Sequence, residues 1–255
     1  TGRLSNLIQV KNKIEFVNVD VANSENSIDQ YFNDVDWVFH LAGLADIVPS
    51  IENPSNYFKS NVVGTFNVVE AAKKAGADAV KFQTFKAAVL VSPGTPKVHY
   101  QLNTSSVDET HYEMLKRLEL SKQAHLDLAA YCQVLEIDFI STPYDIQSAG
   151  FLAEIGVRFF KTASADLVDL PLQRFIAATG KPAIIATGMA TLGEVELVVN
   201  IYSEEGNSNV VLLHAVSNYP CSDESLNLRV MHTLAKAFSL PVGFSDHSEG
   251  YLGAV

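Results

Sequence analysis

The 255-residue sequence is short of positive charge, of cysteine and of long apolar runs. Eighteen Lys and Arg stand against 29 Asp and Glu, a formal net charge of −11. Such a balance offers no field for polyanions, so neither nucleic-acid nor membrane binding is expected. Any anionic ligand must be held by a few local cations. The two cysteines, Cys132 and Cys221, lack metal-ligand spacing. That argues against a disulfide framework or a cysteine-based zinc site, and a reducing cytoplasm is the default location. No apolar run approaches the ~20 residues that span a bilayer. The opening TGRLSNLIQVKNK has no apolar core of the kind a secretory signal needs. GxGxxG, GxxxxGK[ST], HExxH and GxSxG are all missing, which removes the usual phosphate loops, the zincin helix and the hydrolase elbow.

What is present is an alternation of short apolar runs with helical patterns. Candidate strands are Lys13–Asp20, Trp37–Ala42, Ala79–Gln83, Asp138–Ser141, Arg158–Ala163, Ala183–Thr187, Val210–Ala215 and Val242–Ser245. They are apolar at both alternating positions, as in a parallel sheet covered on two faces. Between them lie helical patterns over Asn26–Asn33, Asn56–Lys74, Glu109–Leu118, Lys122–Leu135, Ile146–Ile155, Leu170–Ala178, Leu192–Ser203 and Leu226–Phe238. Thr191 with Glu194 reads as a capping box, and Gly76, Gly156, Gly180 and Gly206 read as helix stops. Strand–helix alternation predicts an α/β fold with parallel strands. Eight strands in about 250 residues favour a TIM-type (β/α)8 barrel over an open doubly wound sheet. Ser92–Ser106 is the longest non-periodic loop.

Polar residues gather where these strands end: Lys81 and Gln83; Ser141 and Thr142; Lys161, Thr162 and Ser164; Thr187; His214, Ser217, Asn218 and Tyr219; Ser245, Asp246 and His247. Parallel α/β folds bind ligands at that rim. Lys81 lies between Val80 and Phe82, and Lys161 between Phe160 and Thr162. An ammonium in such company is costly to desolvate without an anionic partner. The two lysines either clamp a phosphate or carboxylate, or reach out to water along the strand ends. His247 is either a metal ligand or a hydrogen-bonded strand-end residue, and His214 poses the same choice. His40 reads as a packed strand residue, and His99, His111, His125 and His232 as surface or loop residues.

The words GADAVKFQTFKA, ETHYEMLKRLELS, STPYD, FFKTASADL, GKPAIIATGMATLGE, LLHAVSNYP, LNLRVMHTLAKAF and LPVGFSDHSEGY run in order from about Gly76 onward. They closely resemble the sialic acid (N-acetylneuraminate) synthase family. From Thr1 to about Lys74, the words TGRLSNL, FVNVDVAN, VDWVFHLAG and PSIENPSNYFKSNVVGTFNVVEAAKKAG resemble NAD-dependent nucleotide-sugar epimerases and dehydratases. The sequence is therefore divided into an epimerase-like half-Rossmann segment, 1–75, and a synthase-like barrel segment, 76–255.

The synthase resemblance implies condensation of phosphoenolpyruvate with an N-acetylmannosamine-type sugar, giving a nonulosonic (sialic-type) acid and phosphate. It implies a divalent Mn²⁺ or Mg²⁺ acting as a Lewis acid on the sugar aldehyde. Lys81, Thr142, Lys161, Ser164 and Ser245 are then expected to hold phosphoenolpyruvate. Gln83 is expected at the substrate, and Tyr219 with Ser217 and Asn218 to face the sugar. His247 is expected to hold the metal, with Asp246 beside it; His247, Asp246 and Tyr219 form the expected catalytic set. A homodimer is compatible with the family. Ala186 stands where the family usually has serine. The family's first-strand glutamate, eighth-strand histidine and C-terminal antifreeze-like domain do not occur in these 255 residues, so low activity is expected. NAD is not expected, since the Gly-rich turn of the epimerase pattern would precede Thr1. An epimerase/dehydratase fragment and an inactive fusion stay open as alternatives. If the barrel is a hybrid, the strands at Lys13–Asp20 and Trp37–Ala42 replace the family's strands eight and one. Backbone hydrogen bonds should then run from Lys13–Asp20 to both Trp37–Ala42 and Val242–Ser245.

Overall fold

A computed structural model describes residues 17, 19–23, 28–32, 63–97 and 110–248 of the chain. Strand and helix alternate along it. The elements are α1 (Gly64–Lys74), β1 (Ala79–Thr84), the single turn α2 (Ala87–Leu90), α3 (His111–Leu118), α4 (Lys122–Val134), β2 (Asp138–Pro143), α5 (Ile146–Ile155), β3 (Phe160–Thr162), α6 (Leu170–Ala178), β4 (Ala183–Ala186), α7 (Leu192–Glu204), β5 (Val210–Ala215), α8 (Val230–Phe238) and β6 (Val242–Ser245). Short 3₁₀ turns occupy Asp29–Tyr31, Ser164–Asp166 and Asp223–Ser225.

Helix starts follow side-chain chemistry. Thr191 and Glu194 form the predicted capping box on α7, and Thr110 with Glu113 forms a second on α3. Ser121, Asp145 and Asp169 cap α4, α5 and α6 by accepting backbone amides. The four predicted stop glycines all take left-handed φ, between 68° and 89°. Gly156 shows the reason, since at φ 84° it closes α5 in a conformation other residues resist.

All pairings are parallel. β1 pairs with β2, and β3, β4, β5 and β6 pair in that order. β2 lies against β3 without joining its ladder, so six strands follow one another in chain order. Helices cover the outer face. Phe160, Leu152, Leu172, Ile176, Ile185, Leu212, Tyr202 and Leu234 fill the core between helices and strands. Two buried amides tie this layer. Gln173 donates to the Asp166 carbonyl at 2.9 Å and accepts from Tyr202 Oη at 3.2 Å. Asn207 donates to the carbonyls of Ala177 and Lys181.

α1 packs against elements on both sides of it in the chain. Val69 joins the main core, Phe66 meets the ring of Tyr131 edge-on at 4.4 Å, and Tyr131 Oη donates to Glu70. Lys73 Nζ donates to the Glu136 carbonyl at 2.7 Å. The opposite side of α1, through Val68 and Ala71, packs on Ile28, Val19 and Phe32. Lys74 pairs with Asp29 and Asn67 Nδ2 donates to the Val21 carbonyl.

Several expectations change. Of the predicted strand Lys13–Asp20, residues 17, 19 and 20 are not in a strand, because Asp20 opens a turn by accepting the amides of Ala22 and Asn23. The rest of it, and Trp37–Ala42, lie outside the described residues. Among the described residues β6 pairs with β5 alone. In the predicted helix Asn26–Asn33, the described residues form only a 3₁₀ turn. The helix predicted from Leu226 begins at Val230, because Asn227 takes φ 47°. β3 is confined to Phe160–Thr162, and Arg158 instead leaves the sheet line to pair with Asp138 at 2.6 Å.

His125 is not a surface residue. It is buried, and its ring bridges two elements. Nδ1 faces the Ser121 carbonyl at 2.8 Å and must donate, so Nε2 accepts from Thr84 Oγ1, also at 2.8 Å. Thr84 Oγ1 in turn receives Ser141 Oγ at 2.7 Å. Burial lowers the imidazole pKa, which keeps the ring neutral as this chain of bonds requires.

Leu212, fully buried on β5, should cost about 2–5 kcal/mol when cut to alanine. Val134, 77 % exposed at the end of α4, should change stability by less than about 0.5 kcal/mol on the same substitution. Urea unfolding of both variants checks the assignment, and equal midpoints would contradict it.

Candidate functional site

Side chains alternate across each strand, and the pairing register fixes which share a face. On β1 and β2, Lys81 lies opposite Ile140 and Gln83 opposite Thr142. On β3, Lys161 lies opposite Ile184 of β4, while its neighbours Phe160 and Thr162 are buried on the helix side. Ala215 of β5 lies opposite Ser245 of β6. The inner, helix-free face therefore carries Lys81, Gln83, Thr142, Lys161 and Ser245.

The two lysines interact there. Among the described residues neither ammonium makes a hydrogen bond or an ion pair. Water reaches both, with Lys81 exposed and Lys161 half-buried, but the surrounding protein removes enough hydration to lower both pKa values. For Lys161 the loss of hydration and the charge of Lys81 together bring it to about 8, against a smaller opposing pull from Asp166. Thr142 is 1 % exposed and its Oγ1 has no hydrogen-bond partner among the described residues. Buried hydroxyls are normally satisfied, so an unpaired one on the lysine face points to a missing acceptor or donor.

The turns beyond β3, β4 and β5 close on one another. Gly188 N donates to Ser164 Oγ at 3.0 Å. A Cβ at Gly188 would lie 2.7 Å from both Ser164 Oγ and Ser217 Oγ. Glycine is thus required for the two hydroxyls to converge. Asn218 and Tyr219 are exposed beyond Ser217, and the Tyr219 ring lies 4.3 Å, centroid to centroid, from that of His247.

His247 Nδ1 faces the Val216 carbonyl at 2.7 Å and donates to it. Nε2 is left as the lone-pair nitrogen, the tautomer a metal-binding imidazole needs. Asp246 is buried, and its Oδ1 accepts the Ser248 amide at 2.8 Å, which shapes the turn that presents His247. Among the described residues no three His, Cys, Asp or Glu side chains gather as a metal cage.

Of the two readings open for His214 the hydrogen-bonded one holds, and Asp166 is an addition to the expected residues. His214 faces outward: its Nε2 donates to the Leu226 carbonyl at 2.6 Å and its ring stacks on Phe244. It fastens β5 to the chain leading into α8. Asp166 was missed by sequence reading. It sits just beyond Lys161 in the turn after β3, with Oδ2 buried and unpaired among the described residues. Burial, and secondarily the charge of Asp169, raise its pKa to about 6. Only its spacing, five residues after Lys161, could have flagged it. Gln83 donates to Tyr144 Oη at 2.8 Å, which holds its amide at the edge of the face.

The fold is a parallel α/β arc of six strands with two lysines on its inner face. The chain belongs to the NeuB family, whose model matches residues 68–255. Residues 2–124 also match the NAD dependent epimerase/dehydratase family model, so the two matches overlap over 68–124. The chain is 45% identical over 189 residues to N,N'-diacetyllegionaminic acid synthase of Legionella pneumophila, covering 72% of this chain and 53% of that protein. It is 32% identical over 182 residues to N-acetylneuraminate-9-phosphate synthase of Drosophila melanogaster, covering 71% and 49%. The structure of sialic acid synthetase from Leptospira borgpetersenii, solved with citrate, matches at a TM-score of 0.65 and 30% identity, over 73% of this chain and 60% of that one. A DAHP synthase from Thermotoga maritima shares the fold alone, with a TM-score of 0.53 at 13% identity. The chain spans about half the length of the curated relatives it matches. No helix among the described residues is long and apolar enough to cross a membrane.

Anion binding at the lysines should weaken as pH rises. Asp166 gains negative charge through about pH 6, and Lys161 loses positive charge through about pH 8. Both changes oppose an anion. Sulfate, fully ionised throughout, should lose affinity between pH 7 and 9 in a titration calorimeter, and Lys161→Met should flatten that decline. A flat wild-type profile from pH 5.5 to 9 would contradict the charge assignment.

Proposed function

We propose that this chain carries the phosphoenolpyruvate site of a nonulosonic acid synthase and serves condensation of phosphoenolpyruvate with an acetamido sugar of the N-acetylmannosamine type. The observation that carries the reading is the inner face itself, with two ammonium groups that make no ion pair among the described residues, on the face that carries a buried Thr142 hydroxyl with no partner among them. Phosphoenolpyruvate brings a phosphate and a carboxylate to a face that offers two cations. Charge-assisted contacts of this kind contribute roughly 1.5–3 kcal/mol each. Lys81 and Lys161 hold the anionic groups, while Thr142, Ser164 and Ser245 donate hydroxyl hydrogens. Ser217, Asn218 and Tyr219 flank the sugar, and Gln83 lies at the edge of the same face. Asp166 can hold a proton next to Lys161 near neutral pH, since its titration lies at about 6. The relatives' names, legionaminic and N-acetylneuraminate-9-phosphate synthase, support this substrate class.

The family's divalent metal, Mn²⁺ or Mg²⁺, fits this chain through His247 Nε2, which its Nδ1 bond to Val216 leaves as an acceptor. When bound, such an ion supplies Lewis acidity to the sugar carbonyl. Asp246 positions His247 through its turn. With one such imidazole among the described residues, turnover by these 255 residues alone should be low. The setting we infer is a cytoplasmic enzyme, for which a homodimer is one assembly compatible with the family.

We further propose that the six-strand arc is part of a (β/α)8 barrel, with residues 1–75 forming an epimerase-like unit and 76–255 the synthase-like one. The packing of α1 against α4 on one side and against Ile28 on the other supports a hybrid assembly. The match of residues 2–124 to the epimerase/dehydratase model supports that origin for the first unit.

Calorimetric titration with phosphoenolpyruvate tests the site. Lys161→Ala should weaken binding ten- to a hundredfold, while the exposed Lys236→Ala on α8 should leave it unchanged. Equal affinity in wild type and Lys161→Ala would overturn the assignment.

A further inference from the structure

Behind the rim, past the end of β5, lies a half-open cavity of about 750 Å³ between α7 and α8. That is within the range of small-molecule sites. Its wall is apolar on the helix side, through Leu192, Val195, Val230 and Leu234. Its mouth is polar, with Arg229, Asn227, Ser225 and Thr233 on one side and Ser217 and Asn218 on the other. The last two also belong to the candidate site, so the two spaces share an edge.

Arg229 is the cation of this mouth. It is exposed at the start of α8, and among the described residues no carboxylate pairs with it. In a chain of net charge −11, a cavity-lining arginine without a counter-ion is unusual. A second observation is independent of charge. Among the described residues four non-glycine residues have left-handed φ: Glu136, Met189, Asn227 and Ser239. Glu136 and Ser239 stand at the ends of α4 and α8, where that conformation is ordinary. Met189, at φ 64°, stands at no helix end and lines the cavity; Asn227, at φ 47°, also lines it, one residue beyond the cap of the 3₁₀ turn Asp223–Ser225. Backbone held this way costs about 1–3 kcal/mol and gathers at ligand sites. Met189 is also 73 % exposed, its side chain offered to the opening.

We propose that this cavity is a second ligand site, distinct from the lysine face, that takes a carboxylated, N-acetylated sugar acid. The choice of carboxylate follows from the single planar guanidinium, which grips a carboxylate through two parallel bonds. A phosphate dianion would meet one cation in an acidic protein. Hydroxyl and amide groups at the mouth suit a polyol, and the apolar wall suits the methyl of an acetamido group. The class matches the product of the proposed reaction, so the inference rests on that reading for its ligand. A product held at an edge shared with Ser217 and Asn218 would slow further turnover.

The test is calorimetric titration of the 255-residue chain with three separate probes: N-acetylneuraminic acid, N-acetylmannosamine and inorganic phosphate. N-acetylneuraminic acid should bind with one-to-one stoichiometry, and should still bind with phosphoenolpyruvate saturating. Arg229→Ala should weaken it at least tenfold, and Arg229→Lys, which keeps charge but not the fork, should recover only part. Phosphoenolpyruvate affinity should be the same in wild type and Arg229→Ala, which also shows that the variant is folded. No binding of the sugar acid, equal affinity in Arg229→Ala, preference for the neutral sugar or phosphate, or competitive displacement by phosphoenolpyruvate would each overturn the second site. Loss of phosphoenolpyruvate sensitivity to Lys161→Ala would instead strike the proposed function and leave this measurement readable.

Discussion

Lys81 and Lys161 repel each other across the inner face of the strand arc, with no ion-pair partner among the described residues and only a weaker pull on Lys161 from Asp166. Parallel pairing makes this possible. It puts every strand's carboxyl end at one rim and sends alternate residues to the inner face. Phe160 and Thr162, the neighbours of Lys161, are drawn into the helix-side layer, which leaves Lys161 no other direction. Lost hydration first, and then the charge of Lys81, lower the Lys161 pKa to about 8. An anion would relieve such an arrangement, and Thr142, on the same face, has a hydroxyl with no partner among the described residues.

The turns that follow the strands serve this face from outside. Gly188 lets Ser164 and Ser217 converge, Gln173 holds the backbone of Asp166 from α6, and the Asp246 turn presents His247 to the Val216 carbonyl. These contacts come from helices and loops separated in sequence by up to 31 residues. The site is therefore a product of layer packing and not of one motif. The same packing incorporates α1. Tyr131 with Phe66 and Glu70, and Lys73 with the Glu136 carbonyl, join α1 to α4 and the residues after it.

Much of this was legible because local chemistry and tertiary structure agree. α5, α6, β5 and β6 have the limits their apolar patterns suggest, and the Thr191–Glu194 box starts α7 as spacing demands. The two lysines stood out because their strand neighbours are apolar. What failed depended on partners distant in sequence. His125 carries no sign that Thr84, 41 residues away, will accept its company in the core. His214 reads as a rim residue until the register turns it outward onto Phe244. The delayed start of α8 comes from Asn227 adopting left-handed backbone, which its neighbours alone do not require.

The central claim is that the Lys161 ammonium is a ligand-seeking charge. Carbon-13 NMR of lysine side chains labelled at Cε follows its protonation directly. The Lys161 signal, assigned by its loss in Lys161→Arg, should titrate near pH 8 in the free protein and move to higher pH when phosphoenolpyruvate is added. A free-protein titration at the ordinary lysine value, or one that phosphoenolpyruvate leaves unmoved, would contradict the account.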